Sequence, residues 1–135
     1  RLGMAAEGLN LPDGYIIAVQ DNEFAGAEAL SSLPALSPRP TAVCCISDEN
    51  AIPLVHALRS YGFRVPEDIS VIGFDDWPMA QALNISTVRH DPRSYGALAA
   101  DAAIRLSRGE ILTESCIVVP TTLMLRGTTG PAPRD

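Results

Sequence analysis

The residues of this 135-residue chain that are best suited to chemistry follow directly after its apolar segments. Carboxylates accept hydrogen bonds from hydroxyl groups, whereas an imidazole or a hydroxyl can also donate one. Such a mixture suits a polyhydroxylated ligand, so the sequence predicts a site for a small, sugar-like molecule. The candidate ligand-binding residues are Asp21, Ser47, Asp48, Asp75 and His90.

A purely structural role explains several of these residues equally well. Asp21 and Ser47 precede helical patterns, where such side chains cap the first turn of a helix. Asp48 falls within a first helical turn, where a negative charge complements the helix dipole. His90 also fits an ordinary loop histidine. The sequence pattern leaves both interpretations open.

Catalysis is a third interpretation of the same segment ends. Asp75 and Asp76 with His90 offer the groups needed for acid–base or metal chemistry. The chain contains no nucleophile-elbow, phosphate-loop, dinucleotide or zinc-protease motif that would support it. We therefore predict a binding protein that has no cofactor and no metal site, and not an enzyme.

The composition limits the possible partners. The net charge is −6 with a pI of about 4.8, and no cluster of Lys and Arg is present, although phosphate contacts require one. If the protein binds DNA, another segment must do so. Cys44, Cys45 and Cys116 lack metal-ligand spacing and fit small side chains in a reducing compartment. Without a membrane span or a signal peptide pattern, the expected location is cytoplasmic, away from membranes.

Strands alternating with helices must position these residues. Strands are predicted at residues 15–19, 41–46, 69–74, 85–88, 116–119 and 122–126, and helices at residues 24–33, 48–61 and 91–108. This alternation predicts an α/β fold with a parallel sheet, in which ligands bind beyond the carboxyl ends of the strands. The strand at 41–46 is expected to be buried on both faces. Pro53 predicts that its helix is kinked or begins later, near Asn50.

Residues 39–90 resemble the effector domain of the LacI/GalR family of bacterial transcription regulators. The resemblance rests on RPTAVCCISDENA, on GFRVPEDISVIGFDD and on ISTVRHDP, and it extends over about residues 14–129. It implies a three-layer, parallel-sheet lobe of a periplasmic-binding-protein-like type I fold. Residues 1–126 would form a partial effector-binding and dimerisation domain, and residues 127–135 a loose tail.

The same resemblance assigns the helix at 91–108 to a second lobe, most of which is missing from this chain. Its apolar face is therefore predicted to be exposed, docked on a neighbouring chain or repositioned. By position, the family's effector contacts carry over onto Ser47 or Asp48, Asp75, Asp21 and His90. Asp21 stands where relatives often have an aromatic ring, and His90 where many have Gln.

The function implied by the resemblance is that of a ligand-sensing domain. A small sugar or sugar derivative would control DNA binding by an N-terminal helix-turn-helix that this chain lacks. The alternative is a periplasmic sugar-binding protein, which shares the two-lobed fold. The resemblance also implies a homodimer, with contacts on the helix at 48–61 and the loop at 77–83. The candidate interface residues are Leu54, Val55, Leu58, Trp77 and Leu83.

Overall fold

Nine helices and strands are defined in the computed structural model, which describes residues 2–20, 25–111 and 116–133. The helices are α1 (Leu2–Ala6), α2 (Ala25–Ser32), α3 (Asp48–Ser60), α4 (Pro78–Ala82) and α5 (Pro92–Ser107). The strands are β1 (Ala42–Cys44), β2 (Ser70–Asp75), β3 (Ser86–Arg89) and β4 (Thr122–Met124). A short 3₁₀ turn, Leu33–Ala35, follows α2.

The four strands form one sheet in the order β1-β2-β3-β4. β1 is parallel to β2 and β2 is parallel to β3, whereas β4 runs antiparallel to β3. In the register, Val43 lies beside Val71, and Asp75 lies beside Arg89. The carboxyl ends of the three parallel strands therefore meet at one edge, as the predicted parallel sheet requires.

One face of the sheet is covered by α3, which in turn packs against α2. The apolar side chains of α3 recur at three- and four-residue spacing and face the sheet. Leu54, Val55 and Leu58 are almost fully buried there. The prediction that these three residues form a dimer interface is wrong, because they lie in the core of their own chain. The helix begins at Asp48 and contains Pro53 in its interior, so it does not begin later, near Asn50.

The opposite face of the sheet is largely open. Ala42 and Cys44 of β1 are exposed, and Ile72 and Phe74 of β2 are only partly buried. The prediction that residues 41–46 are buried on both faces is therefore wrong. Among the described residues, α2 and α3 supply a helical layer to one face only, and a hydrophobic strand alone does not reveal whether a second layer exists.

α5 has no buried residue, although it is sixteen residues long. Its N-terminus is defined by Asp91, whose carboxylate accepts a hydrogen bond from the backbone of Arg93, with Pro92 in the first turn. The large apolar side chains Tyr95, Leu98 and Ile104 are exposed. Against the described residues, the apolar face of this helix is therefore exposed, which is one of the three outcomes predicted for it.

Two predicted strands do not form. Residues 15–19 and 116–119 lie outside any helix or strand, and Ile16 and Val118 are exposed. A strand needs a neighbour that satisfies its backbone groups, and the described residues provide none at these positions. Alternation of side-chain types cannot show whether such a neighbour exists.

The segment after β4 is held firmly at its start. Thr128 is fully buried, and its hydroxyl donates to the Val71 carbonyl at 2.7 Å while accepting from the Ser86 amide at 2.9 Å. The Val71 amide donates in turn to the Thr128 carbonyl. The tail was expected to be loose from Gly127 onwards. This is wrong for Thr128, which is hydrogen-bonded to both β2 and β3.

No helix in the described ranges is both long enough and apolar enough to cross a lipid bilayer.

Candidate functional site

Two of the predicted site residues meet at the carboxyl end of the parallel strands. Asp75 is the last residue of β2, and His90 follows directly after β3. His90 Nε2 lies 3.0 Å from Asp75 Oδ1 and donates to that carboxylate, since an ionised carboxylate only accepts. Both side chains are partly exposed, so they remain open to a ligand.

Aromatic rings hold His90 in place. The Phe74 ring stacks on the imidazole at 5.4 Å between centroids, and Tyr95, at the start of α5, meets it edge-on at the same distance. Tyr95 is itself exposed. The site therefore combines a carboxylate, an imidazole and an aromatic surface, which together can bind the hydroxyls and the apolar face of a sugar ring.

Ser47 acts as the N-cap of α3. Its hydroxyl oxygen accepts a hydrogen bond from the Asn50 amide at 3.3 Å, and the same hydroxyl lies 3.1 Å from Asn50 Oδ1. The structural interpretation of Ser47 is thus confirmed. Its partly exposed side chain lies at the carboxyl end of β1, along the same edge of the sheet as Asp75.

Asp48 is fully buried beneath the site. Its Oδ2 accepts a hydrogen bond from the Trp77 amide at 2.8 Å, which ties α3 to the loop after β2. Its Oδ1 has no hydrogen-bond partner among the described residues. A Cβ added to Gly73 would lie only 2.1 Å from this oxygen, so a side chain there would clash with it. Asp48 therefore supports the loop from inside and offers no surface to a ligand in this structure. Asp21 lies outside the described residues.

The sequence singled out Asp76 but did not predict its role as the acceptor for two arginines. Its side chain is 1% exposed and accepts from two guanidinium groups: Arg126 Nη2 at 2.6 Å and Arg89 Nε at 2.5 Å. Burial alone raises the pKa of Asp76, but the hydrogen bonds from Arg126 and Arg89 outweigh it, so the pKa lies below its ordinary value. The Asp-Asp doublet was a visible signal, but its partner Arg126 is fifty residues away.

The described residues hold no metal cluster, and the Cys45 thiol is unsuited to act as a nucleophile. No group of three or more His, Cys, Asp or Glu side chains within these ranges is arranged to hold a metal ion. Burial raises the pKa of the Cys45 thiol to about 12, so this thiol stays protonated at neutral pH and is a poor nucleophile.

Comparison with known proteins shows a match over almost the whole chain. A family model described as a periplasmic binding protein-like domain matches residues 1–129. The ribose operon repressor of Escherichia coli strain K12 is 34% identical over 130 residues, covering 94% of this chain and 39% of the repressor. The chain thus spans well under half the length of this relative.

Solved structures show the same similarity. A LacI family transcriptional regulator from Bifidobacterium animalis superposes with a TM-score of 0.80 and 30% identity, over 95% of this chain and 46% of that one. The transcriptional regulator CelR in complex with cellobiose gives a TM-score of 0.76 and 25% identity, over 95% and 40%. These relatives are transcriptional regulators and not enzymes.

Proposed function

Because this chain belongs to the LacI family and carries part of its periplasmic binding protein-like domain, we propose that it is the effector-sensing part of a bacterial transcriptional regulator. The effector is a small sugar or sugar derivative. The observation that carries this proposal is the pairing of Asp75 with His90, 3.0 Å apart, at the carboxyl ends of two adjacent parallel strands.

Each group has a defined part in binding. The Asp75 carboxylate has acceptor capacity beyond its bond to His90, so it can accept from one or two ligand hydroxyls. His90 is oriented by that bond and by Phe74, and its second ring nitrogen remains for a further contact. The exposed ring of Tyr95 can lie against the apolar face of the sugar.

The relatives support a sugar and favour a regulator over a transport protein. One solved relative is described as a complex with cellobiose, and a curated relative is the repressor of a ribose operon. Both are transcriptional regulators, whereas the periplasmic sugar-binding alternative has no such support. We place the protein in the cytoplasm on the same grounds.

Regulation requires a second lobe and a DNA-binding segment outside this chain. The relatives are more than twice as long as the matched region, and the apolar face of α5 is open. We propose that α5 packs on the second lobe and that the effector binds between the lobes. A ligand that prefers one lobe arrangement shifts the equilibrium towards it and so alters DNA affinity. The net charge of −6 leaves DNA contact to another segment.

Asp75→Asn is expected to weaken effector binding about tenfold or more, because it removes a charged acceptor from the ligand hydroxyls. Isothermal titration of the full-length protein with ribose, cellobiose and a small set of other sugars measures this loss. The matched control is Asp68→Asn, which changes a carboxylate that pairs with exposed Arg64 instead. Unchanged affinity in Asp75→Asn for a sugar that the wild type binds would overturn the proposed site.

We also propose that the protein is a homodimer that associates through α4. With Leu54, Val55 and Leu58 in the core, the interface candidates that remain are Trp77 and Leu83, which are 43% and 46% exposed. Met79, on the same short helix, is exposed as well. These three exposed apolar side chains lie on α4 and its two caps, and exposed apolar patches on soluble proteins mark interaction sites.

Leu83→Asp is expected to convert the dimer to a monomer, because it places a charge among the apolar side chains proposed as the contact. Sedimentation velocity of the full-length protein measures the mass directly. Tyr61→Asp is the control, since Tyr61 is 77% exposed at the end of α3 and lies outside α4. A dimer that persists in Leu83→Asp would exclude α4 as the contact.

A further inference from the structure

We propose that the cluster formed by the buried Asp76 carboxylate with Arg89 and Arg126 positions the Asp75 carboxylate for effector binding. Asp76 and Arg126 are positioning residues in this arrangement, since they act through the backbone of Asp75 and need not touch the ligand. The inference rests on the proposed function of the Asp75–His90 site. It adds that the contacts of Asp76 fix the geometry of that site before a ligand binds.

The backbone at the end of β2 is strained in two consecutive residues. Asp75 has a φ of 109° and Asp76 a φ of 61°, both in the left-handed region that side chains other than glycine rarely adopt. Such residues persist only where surrounding contacts hold them. The two residues are followed by Trp77, whose amide is held by Asp48. A specific restraint is therefore needed between β2 and this loop.

The Asp76 carboxylate provides that restraint. Arg126 reaches it from the segment after β4 and also donates Nη1 to the Ile85 carbonyl at 2.8 Å. Arg89 reaches it from the end of β3. The Asp76 amide also lies 3.4 Å from the Thr87 hydroxyl. Two separate segments of the chain, β3 and the segment after β4, therefore converge on Asp76, and each oxygen of its buried carboxylate accepts from a different guanidinium. Charge-assisted hydrogen bonds of this kind hold the carboxylate firmly.

The consequence for Asp75 follows from its place in the chain. The ion pairs to Arg89 and Arg126 fix the position of Asp76. Asp75 therefore cannot relax to an ordinary extended conformation without breaking these pairs. Its carboxylate is thereby kept at hydrogen-bond distance from His90, which Phe74 and Tyr95 hold from the other side. The site is preorganised before a ligand arrives, and preorganisation reduces the ordering that binding would otherwise require.

Arg126→Gln tests the inference through a signal that does not depend on any ligand. In protein labelled with ¹⁵N-histidine, His90 is identified by its absence in His90→Gln. We expect the His90 ring nitrogens in Arg126→Gln to shift towards their positions in Asp75→Asn, where the hydrogen bond to the carboxylate is weakened. Arg126→Lys, which retains a positive charge, should restore part of the wild-type signal. Arg64→Gln, which breaks an exposed pair, should leave the signal unchanged.

The result that would overturn the inference is a wild-type His90 signal in a folded Arg126→Gln protein. If Arg126→Gln does not fold, Asp76→Asn takes its place, because it removes the carboxylate that accepts from both arginines while Asn tolerates the left-handed backbone at this position. A shifted signal in that variant supports the inference, and an unshifted one refutes it. Because no sugar is added, failure of the sugar titrations would count against the proposed function and not against this positioning role.

Discussion

Asp76→Asn is expected to lower the free energy of unfolding by about 3 kcal/mol, although the change removes only a charge. Asn has nearly the same shape as Asp and tolerates the left-handed backbone at this position, so strain is not added. What is lost is the only counter-charge that the described structure shows for Arg126, whose side chain is 14% exposed. A buried guanidinium without a carboxylate keeps its desolvation penalty and loses the attraction that offset it.

Urea denaturation of the full-length protein, followed by circular dichroism, measures this loss. Asp68→Asn is the matched control, since its carboxylate also pairs with an arginine, but Arg64 is 72% exposed. Solvent screens an exposed pair and leaves it little net effect on stability, so the control should change little. Equal losses in the two variants would show that burial of the Asp76 cluster does not stabilise the fold.

The loss of stability in Asp76→Asn should depend on pH. The pKa of Asp76 is lowered in the folded protein, chiefly by the hydrogen bonds from Arg126 and Arg89 acting against burial. Its stabilising contribution is therefore complete above the ordinary Asp value of about 3.9 and is lost as the pH falls through the folded value. The stability difference between the wild type and Asp76→Asn should be constant near neutral pH and shrink in acid. A difference that grew in acid would contradict the assignment.

Patterns of local origin made most of the sheet and the helices predictable. β2 and α3 are evident from apolar runs and helical spacing, and Asp91 with Pro92 marks the start of α5 in the sequence itself. The segment at 15–19 failed because its composition fits a strand but no neighbouring strand is available to it. Whether a strand finds a partner depends on segments that are distant in sequence, so the composition of five residues cannot predict it.

The site was predictable only in part for the same reason. Asp75 and His90 could be expected near each other, because both follow parallel strands. The role of Asp76 could not be predicted, because it depends on a contact with Arg126, which is fifty residues away in sequence. The apolar stripe of α3 posed a related problem. Leu54 fits a core or an interface equally well by sequence, and the packing of α2 over α3 decides between them.

Gly26→Ala is expected to destabilise the protein by about 3 kcal/mol, because α2 and α3 approach too closely at this point for any side chain. A Cβ on Gly26 would lie 2.3 Å from the carbonyl carbon of Pro53 and 2.5 Å from the amide nitrogen of Leu54. Both atoms belong to the backbone of α3, so neither can move aside as a flexible side chain would. Relief requires α2 to shift away from Leu54 and Leu58, which opens the core of the domain.

Gly96→Ala makes the same substitution in α5, where it should stabilise the protein instead. Gly96 lies inside α5, and nothing is within 4 Å of its added Cβ. Alanine favours a helix interior over glycine by about 1 kcal/mol, so this variant should be slightly more stable. Thermal unfolding of the two variants beside the wild type separates helix propensity from packing. Stabilisation by both substitutions would mean that α2 does not rest on the backbone of α3, and the dimer surface would then have to be sought on α3 after all.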